Sequence, residues 1–233
     1  MDALLDEFAA YLRVERNFSP HTLECYLREV KEFGAFYAKV RKKPMADLGM
    51  EDLAAVDKFT VRAFMSGLYG RNKARTVARK LASLRAFFGL WVDRERLPLN
   101  PAKLVSTPKL EKALPKYLSV DDVLHVLDAA AKSKAPEPLK LRNRAIIDCF
   151  YATGVRRSEL VGLNVADVDF RYGTVRVLGK GARERTALIG EKALETLKAY
   201  LDAREGLLHP GNPGEPALFL SRKGARVTAG QVY

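Results

Sequence analysis

Cysteine is scarce in this chain of 233 residues: Cys25 and Cys149 are far apart, share no Cys-x-x-Cys spacing and have no histidine cluster nearby. That excludes a disulfide framework and a cysteine-based zinc site, and both thiols are expected to be small buried groups. Histidine is scarce too, with only His21, His125 and His209. No Ser-His-Asp arrangement, metal cluster or nucleotide-binding glycine fingerprint can be located, which argues against a metabolic enzyme. There is no apolar run long enough to cross a bilayer. The first residues, Met1-Asp2-Ala3-Leu4-Leu5-Asp6-Glu7, are acidic and lack the basic start of a secretory signal, so a soluble cytoplasmic protein is expected.

What the chain has in excess is positive charge, +12 at neutral pH. Residues 1–107 carry 19 Lys/Arg against 13 Asp/Glu, and residues 108–233 carry 21 against 15, so each part is +6. A single basic tail is excluded. Two separately basic bodies are what a clamp around a polyanionic duplex requires.

The boundary is marked by Leu97-Pro98-Leu99-Asn100-Pro101 and by the polar stretch from Ser106 to Lys116, with four prolines between positions 98 and 115. Proline breaks helices, so residues 105–116 are expected to be an extended linker between a body at 1–104 and a body at 117–233. The first body is helical by pattern. Leu4, Leu5, Phe8, Tyr11 and Leu12 recur at spacings of three and four. Ser19-Pro20-His21-Thr22 opens a second helix, with Ser19 as N-cap and Pro20 at the first helical position. A third helix is expected over Val56 to Leu68 and a fourth over Lys73 to Val92, giving a four-helix bundle.

The fourth helix carries an apolar stripe, Val77, Leu81, Leu84, Phe88 and Trp91, beside Arg71, Lys73, Arg75, Arg79, Lys80 and Arg85. No acid occurs from Ser66 to Val92. A solvated helix usually intersperses glutamate for i,i+4 pairing, so this row is expected to contact phosphate. Thr76 and Ser83 can add hydroxyl contacts.

In the second body, Ser119-Val120-Asp121-Asp122 is a helix start that Val123, Leu124, Val126 and Leu127 should bury. A second helix, about Leu139 to Ala152, is nearly apolar from Ala145 and should lie deep. It stops at Thr153-Gly154, which puts Arg156 in a tight turn before a helix carrying Glu159, Leu160 and Leu163. Val168–Phe170, Thr174–Leu178 and Arg185–Ile189 form a three-stranded antiparallel meander. Its second turn, Gly179-Lys180-Gly181, bears Lys180, Arg183 and Arg185 around two glycines, which lets backbone and cations approach a phosphate.

These segments resemble a tyrosine recombinase of the phage integrase family, nearest to the Xer group. The resemblance is carried by Ser19-Pro20-His21-Thr22 with Tyr26, by Thr76 through Arg85, by Tyr151-Ala152-Thr153-Gly154-Val155-Arg156-Arg157-Ser158-Glu159-Leu160, and by Gly179-Lys180-Gly181 with Glu184-Arg185. It implies a mainly helical fold: a four-helix core-binding (SAM-like) domain, then a mixed catalytic domain with a small three-stranded antiparallel sheet. It selects Arg156 as the first catalytic arginine, with Glu159 orienting it, and Lys180 as the general acid for the departing 5′ oxygen. His21, Thr22, Arg75, Thr76, Arg79, Lys80, Arg85, Arg183 and Arg185 are the implied DNA contacts.

The resemblance further implies a double-stranded DNA partner with a specific recombination site, and a homo- or hetero-tetramer on two duplexes, with room for an activating partner protein. No metal or nucleotide cofactor is implied. The family's His-x-x-Arg motif and its nucleophilic tyrosine are not found: no histidine here begins His-x-x-Arg, and Tyr233 comes too early to be the nucleophile. The chain is therefore expected to be the first part of a recombinase and inactive alone. The alternatives are a non-catalytic DNA-binding fragment or regulator, and a phage or transposon integrase in place of a chromosome dimer resolvase.

Overall fold

The structure is a computed structural model that describes residues 1–110, 117–179, 181 and 183–232. Lys180 and the last six residues of the expected linker, 111–116, lie outside the described residues, as does Tyr233. The chain forms two compact units, Met1–Leu114 and Pro115–Tyr233.

In the first unit α1 (Asp2–Val14), α2 (Pro20–Arg41), a one-turn α3 (Met50–Ala54), α4 (Lys58–Ser66) and α5 (Ala74–Asp93) are followed by a 3-10 turn at Pro101–Leu104. Ser19 caps α2, its side chain accepting from the Thr22 N–H, and α2 closes at Lys42 in the left-handed conformation. The helix expected over Val56 to Leu68 is α4, which starts later than the periodicity predicts because Asp57 caps it, accepting from the Thr60 N–H at 2.8 Å. The apolar stripes of α1, α2, α4 and α5 meet in an aromatic core of Phe8, Phe33, Phe64, Phe87, Phe88 and Trp91, all buried. Phe33 meets Phe64 and Phe88 edge to face at 5.3 and 5.9 Å, and each such ring adds about 1.5–3 kcal/mol by burial.

The start of the expected linker is stitched to this unit. Arg85 donates from Nε to the Ala102 carbonyl at 3.1 Å, from Nη2 to the Val105 carbonyl at 2.6 Å and from Nη1 to Thr107 Oγ1 at 3.0 Å.

In the second unit α6 (Val120–Lys132) begins with a capping box in which Ser119 and Asp122 satisfy each other's backbone N–H groups at 3.1 and 2.8 Å. It is less buried than the pattern predicts: Val123 and Leu127 are half-buried and Val126 is exposed. α7 (Glu137–Thr153) buries Ala145, Ile146 and Cys149, but Tyr151, on the opposite face, is 69% exposed. Burial pushes the Cys149 thiol up to about 11.

After α8 (Arg157–Gly162), strands β1 (Val168–Asp169), β2 (Thr174–Leu178) and β3 (Glu184–Leu188) form the antiparallel meander in the order β1-β2-β3, with Val175 opposite Ala187 and Val177 opposite Arg185. Val175 and Val177 alternate inward. α9 (Glu191–Arg204), which the sequence reading left unassigned, packs along α7 and buries Ala193, Leu197 and Tyr200.

Residues 215–226 then close over the α8 loop. Leu218 N–H donates to the Leu163 carbonyl at 2.9 Å. Arg142, Arg204 and Arg226 secure that closure by donating to the carbonyls of Leu220, of Glu215 and Ala217, and of Val161 and Leu163. Among the described residues no helix is long and apolar enough to cross a membrane.

Candidate active site and nucleic-acid interface

Gly154 closes α7 with φ +59°, its N–H bonding back to the Phe150 carbonyl at 2.9 Å. A side chain is disfavoured in that conformation. The chain then reverses, Val155 is buried, and Arg156 stands at the N-cap position of α8. Glu159, one turn on, accepts the Arg156 backbone N–H on Oε2 at 2.8 Å and Arg156 Nη1 on Oε1 at 3.0 Å. The carboxylate side chain is 5% exposed while the Arg156 side chain is 72% exposed. A rigid, buried acceptor therefore holds an outward-facing guanidinium.

The β2–β3 hairpin completes the cluster. Arg185 donates from Nη1 to Glu159 Oε1 at 3.0 Å and from Nη2 to Oε2 at 2.8 Å. These bonds, together with those from Arg156, hold the Glu159 carboxyl down at about 2 against an ordinary 4.5, and Glu159 in turn raises Arg185. At the hairpin tip the Gly179 N–H donates to the Arg183 carbonyl at 2.8 Å, and Gly181 takes φ +75°. A Cβ on Gly179 would stand 3.5 Å from Arg185 Nη1 and 3.7 Å from Glu159 Oε1, so the tip backbone passes beside the cluster. Arg183 is exposed there, and Lys180 falls outside the described residues.

The sequence leads to Glu159 orienting Arg156, and the structure brings the two into hydrogen-bond contact; Arg185, expected at phosphate, reaches the same carboxylate from a strand 26 positions later, a partnership nothing local in the sequence shows.

The basic row of α5 divides in the structure. Arg75 is exposed and Thr76 half-buried at the first turn. Arg79 Nη1 lies 2.6 Å from Glu29 Oε1, a carboxylate buried in the α2–α5 seam that also accepts from the Ser83 hydroxyl. Lys80 is buried and donates to Glu32. The absence of acids from Ser66 to Val92 therefore does not leave this row unpaired: α2 supplies Glu29 and Glu32 across the seam. Lys80 and Arg85 spend their donors inside the unit, while Arg71, Lys73, Arg75 and Arg79 are exposed. His21 is exposed at the start of α2, and the Thr22 hydroxyl lies 2.8 Å from Ser19 Oγ. Among the described residues no group of three His, Cys, Asp or Glu side chains is placed to hold a metal ion.

Residues 116–233 match the model of the phage integrase family, and residues 5–95 match the phage integrase N-terminal SAM-like domain. The chain belongs to the phage integrase family. It is 39% identical to the tyrosine recombinase XerC of Syntrophus aciditrophicus over all of this chain and 75% of that protein. It is 36% identical to XerC of Thermodesulfovibrio yellowstonii over 98% of this chain and 72% of that one. Among solved structures, a lambda integrase tetramer bound to a Holliday junction matches 99% of this chain and 62% of its own at 20% identity and TM-score 0.69. A post-cleavage complex of the XerH site-specific recombinase on a palindromic difH substrate matches 96% and 63% at 21% identity and TM-score 0.70. The integrase fold, a SAM-like helical domain followed by a mainly helical domain with a three-stranded antiparallel sheet, is the one seen here.

Proposed function

We propose that this chain supplies the DNA clamp and the first catalytic groups of a site-specific tyrosine recombinase that cuts and rejoins DNA through a 3′-phosphotyrosyl intermediate. The observation that carries the proposal is the Glu159 cluster, which fixes a largely exposed Arg156 guanidinium at the N-terminus of α8, with the Gly179 backbone close by. A guanidinium so held can donate two parallel hydrogen bonds to the non-bridging oxygens of a scissile phosphate and stabilise the charge of a pentavalent transition state. Lys180, which lies in sequence between β2 and β3, is assigned the proton that the departing 5′ oxygen takes up. A tyrosine oxygen attacks phosphorus, the 5′ oxygen leaves, and the phosphodiester energy is kept in the new ester, so no metal or nucleotide is required.

Chromosome dimer resolution at dif-type sites, in the cytoplasm, is the proposed biological role; what supports site-specific recombination is that the relatives are named tyrosine recombinase XerC. Four protomers acting on two duplexes, alone or with a second recombinase or an activating partner, is the proposed assembly; the lambda integrase of like fold is a tetramer bound to a Holliday junction. Arg75, Thr76, Arg79, His21, Thr22 and Arg183 are the proposed DNA contacts.

A second reading is that this chain binds DNA and does not cleave it; the outward-facing Arg75 and Arg79 of α5 would serve binding without any chemistry. A nicked suicide duplex separates the two. A covalent protein–DNA adduct formed by the natural gene product, and lost in Arg156→Ala with binding retained, supports the recombinase. Tight binding with no adduct overturns it in favour of the second reading.

A further inference from the structure

Arg185 is the member of the site whose geometry conflicts with a simple phosphate contact. Both of its terminal nitrogens point at Glu159, and both Glu159 oxygens are shared between Arg185 and Arg156. The carboxylate thus accepts four hydrogen bonds, two from each arginine, which saturates an acceptor that has almost no access to water.

We propose that Arg185 is a positioning residue for Arg156, and that through Glu159 it ties strand β3 to the Arg156 turn, so that the guanidinium of Arg156 is held by two separate elements of the second unit. The proposal rests on the recombinase reading for its chemistry and on the geometry of Glu159 for its mechanism. Arg185 pairs across the sheet with Val177, which is buried, so its backbone is anchored in the core of the second unit. From that anchor the side chain reaches Glu159, and the Gly179 backbone runs close beside both. Removing Arg185 leaves Glu159 with the two Arg156 bonds alone and frees it to swing, and the Arg156 backbone N–H and guanidinium swing with it. A displacement of about 1 Å at a reacting group can cost on the order of a hundredfold in rate.

The test compares Arg185→Gln, Arg185→Lys, Glu159→Gln and the Arg185→Gln/Glu159→Gln double variant. Amide exchange of Arg156 and of β3 is followed in the 233-residue chain. Duplex affinity is followed with its salt dependence, and adduct formation at saturating nicked duplex in the natural gene product. Arg185→Gln is expected to lower protection of the Arg156 amide and to slow adduct formation by roughly 10–100-fold. Affinity and salt slope should stay within about twofold of wild type, because the Arg185 guanidinium is committed to Glu159. The double variant should be no slower than Glu159→Gln, since both changes break one linkage. Should Arg185→Gln unfold at the assay temperature, Arg185→Lys takes its place: it keeps the charge, cannot chelate the carboxylate, and is expected to be slow as well.

A loss of affinity with a salt slope shallower by about one, and an unchanged rate at saturation, would make Arg185 a phosphate contact instead. Multiplied effects in the double variant would also overturn the proposal. If wild type forms no adduct, the recombinase reading fails by itself, and exchange of the Arg156 amide still decides whether Arg185 positions it.

Discussion

Both units stand an outward-facing arginine on a buried glutamate, yet they support that glutamate differently. In the first unit Glu29, with a side chain 2% exposed, is met by one cation, Arg79, and by the Ser83 hydroxyl. In the second, Glu159 is met by two arginines and by a backbone N–H at a helix start, where the macrodipole also favours negative charge. A buried carboxylate with a single cationic partner is hostage to it, whereas one with three independent donors can lose any of them and stay compensated. The first arrangement makes Arg79 a structural residue and a surface cation together; the second separates anchoring from presentation.

The difference sets an order of expected effects. Arg79→Ala should be the most costly, about 3 kcal/mol in the first unit by urea unfolding, because Glu29 is then buried with only a hydroxyl for company. An equal loss from Arg185→Gln in the second unit would erase the distinction. Glu159→Gln should cost about 2 kcal/mol at neutral pH, as hydrogen bonds to a charged group are lost. Because the folded carboxyl is held at about 2 against 4.5, its stabilisation is fully present above pH 4.5 and disappears as pH falls through about 2. The gap in melting temperature between wild type and Glu159→Gln should therefore close across that window, and a gap independent of pH would show that the charge is not what matters. Gly154→Ala should cost about 1 kcal/mol, in the second unit alone, through strain at the left-handed position. Smallest in stability is Arg75→Ala, within about 0.5 kcal/mol of wild type, while the slope of log K against log salt falls by about 0.9 if Arg75 meets a phosphate.

Local physics made much of this legible from the chain itself. Ser19-Pro20 and Ser119 with Asp122 mark helix starts because capping acts over three residues, and the meander follows from alternation over five. The Arg156–Glu159 pair is a one-turn relation and so could be read directly. What escaped depends on partners brought together by folding. Glu29 and Glu32 lie about fifty positions from the α5 residues they bind, with separations of 54 to Ser83 and 48 to Lys80. Lys80 counts as surface charge in a helical pattern and is buried in the seam. Arg85 is one more cation of the row by sequence, and in the structure it holds three oxygen acceptors in residues 102–107. The half-exposed α6 shows the same limit, since an apolar stripe states what a helix can bury but not what arrives to cover it.

The closure of residues 215–226 over the α8 loop bears on timing. The Arg226 bonds to the Val161 and Leu163 carbonyls span 65 and 63 positions, and that of Arg142 to the Leu220 carbonyl spans 78. Contacts so distant in sequence form late, after the entropy of closing the intervening loop has been overcome. During synthesis α8 therefore emerges well before Arg226, and the bonds that lock its far end, to the Val161 and Leu163 carbonyls, are expected to form only once that arginine has left the ribosome.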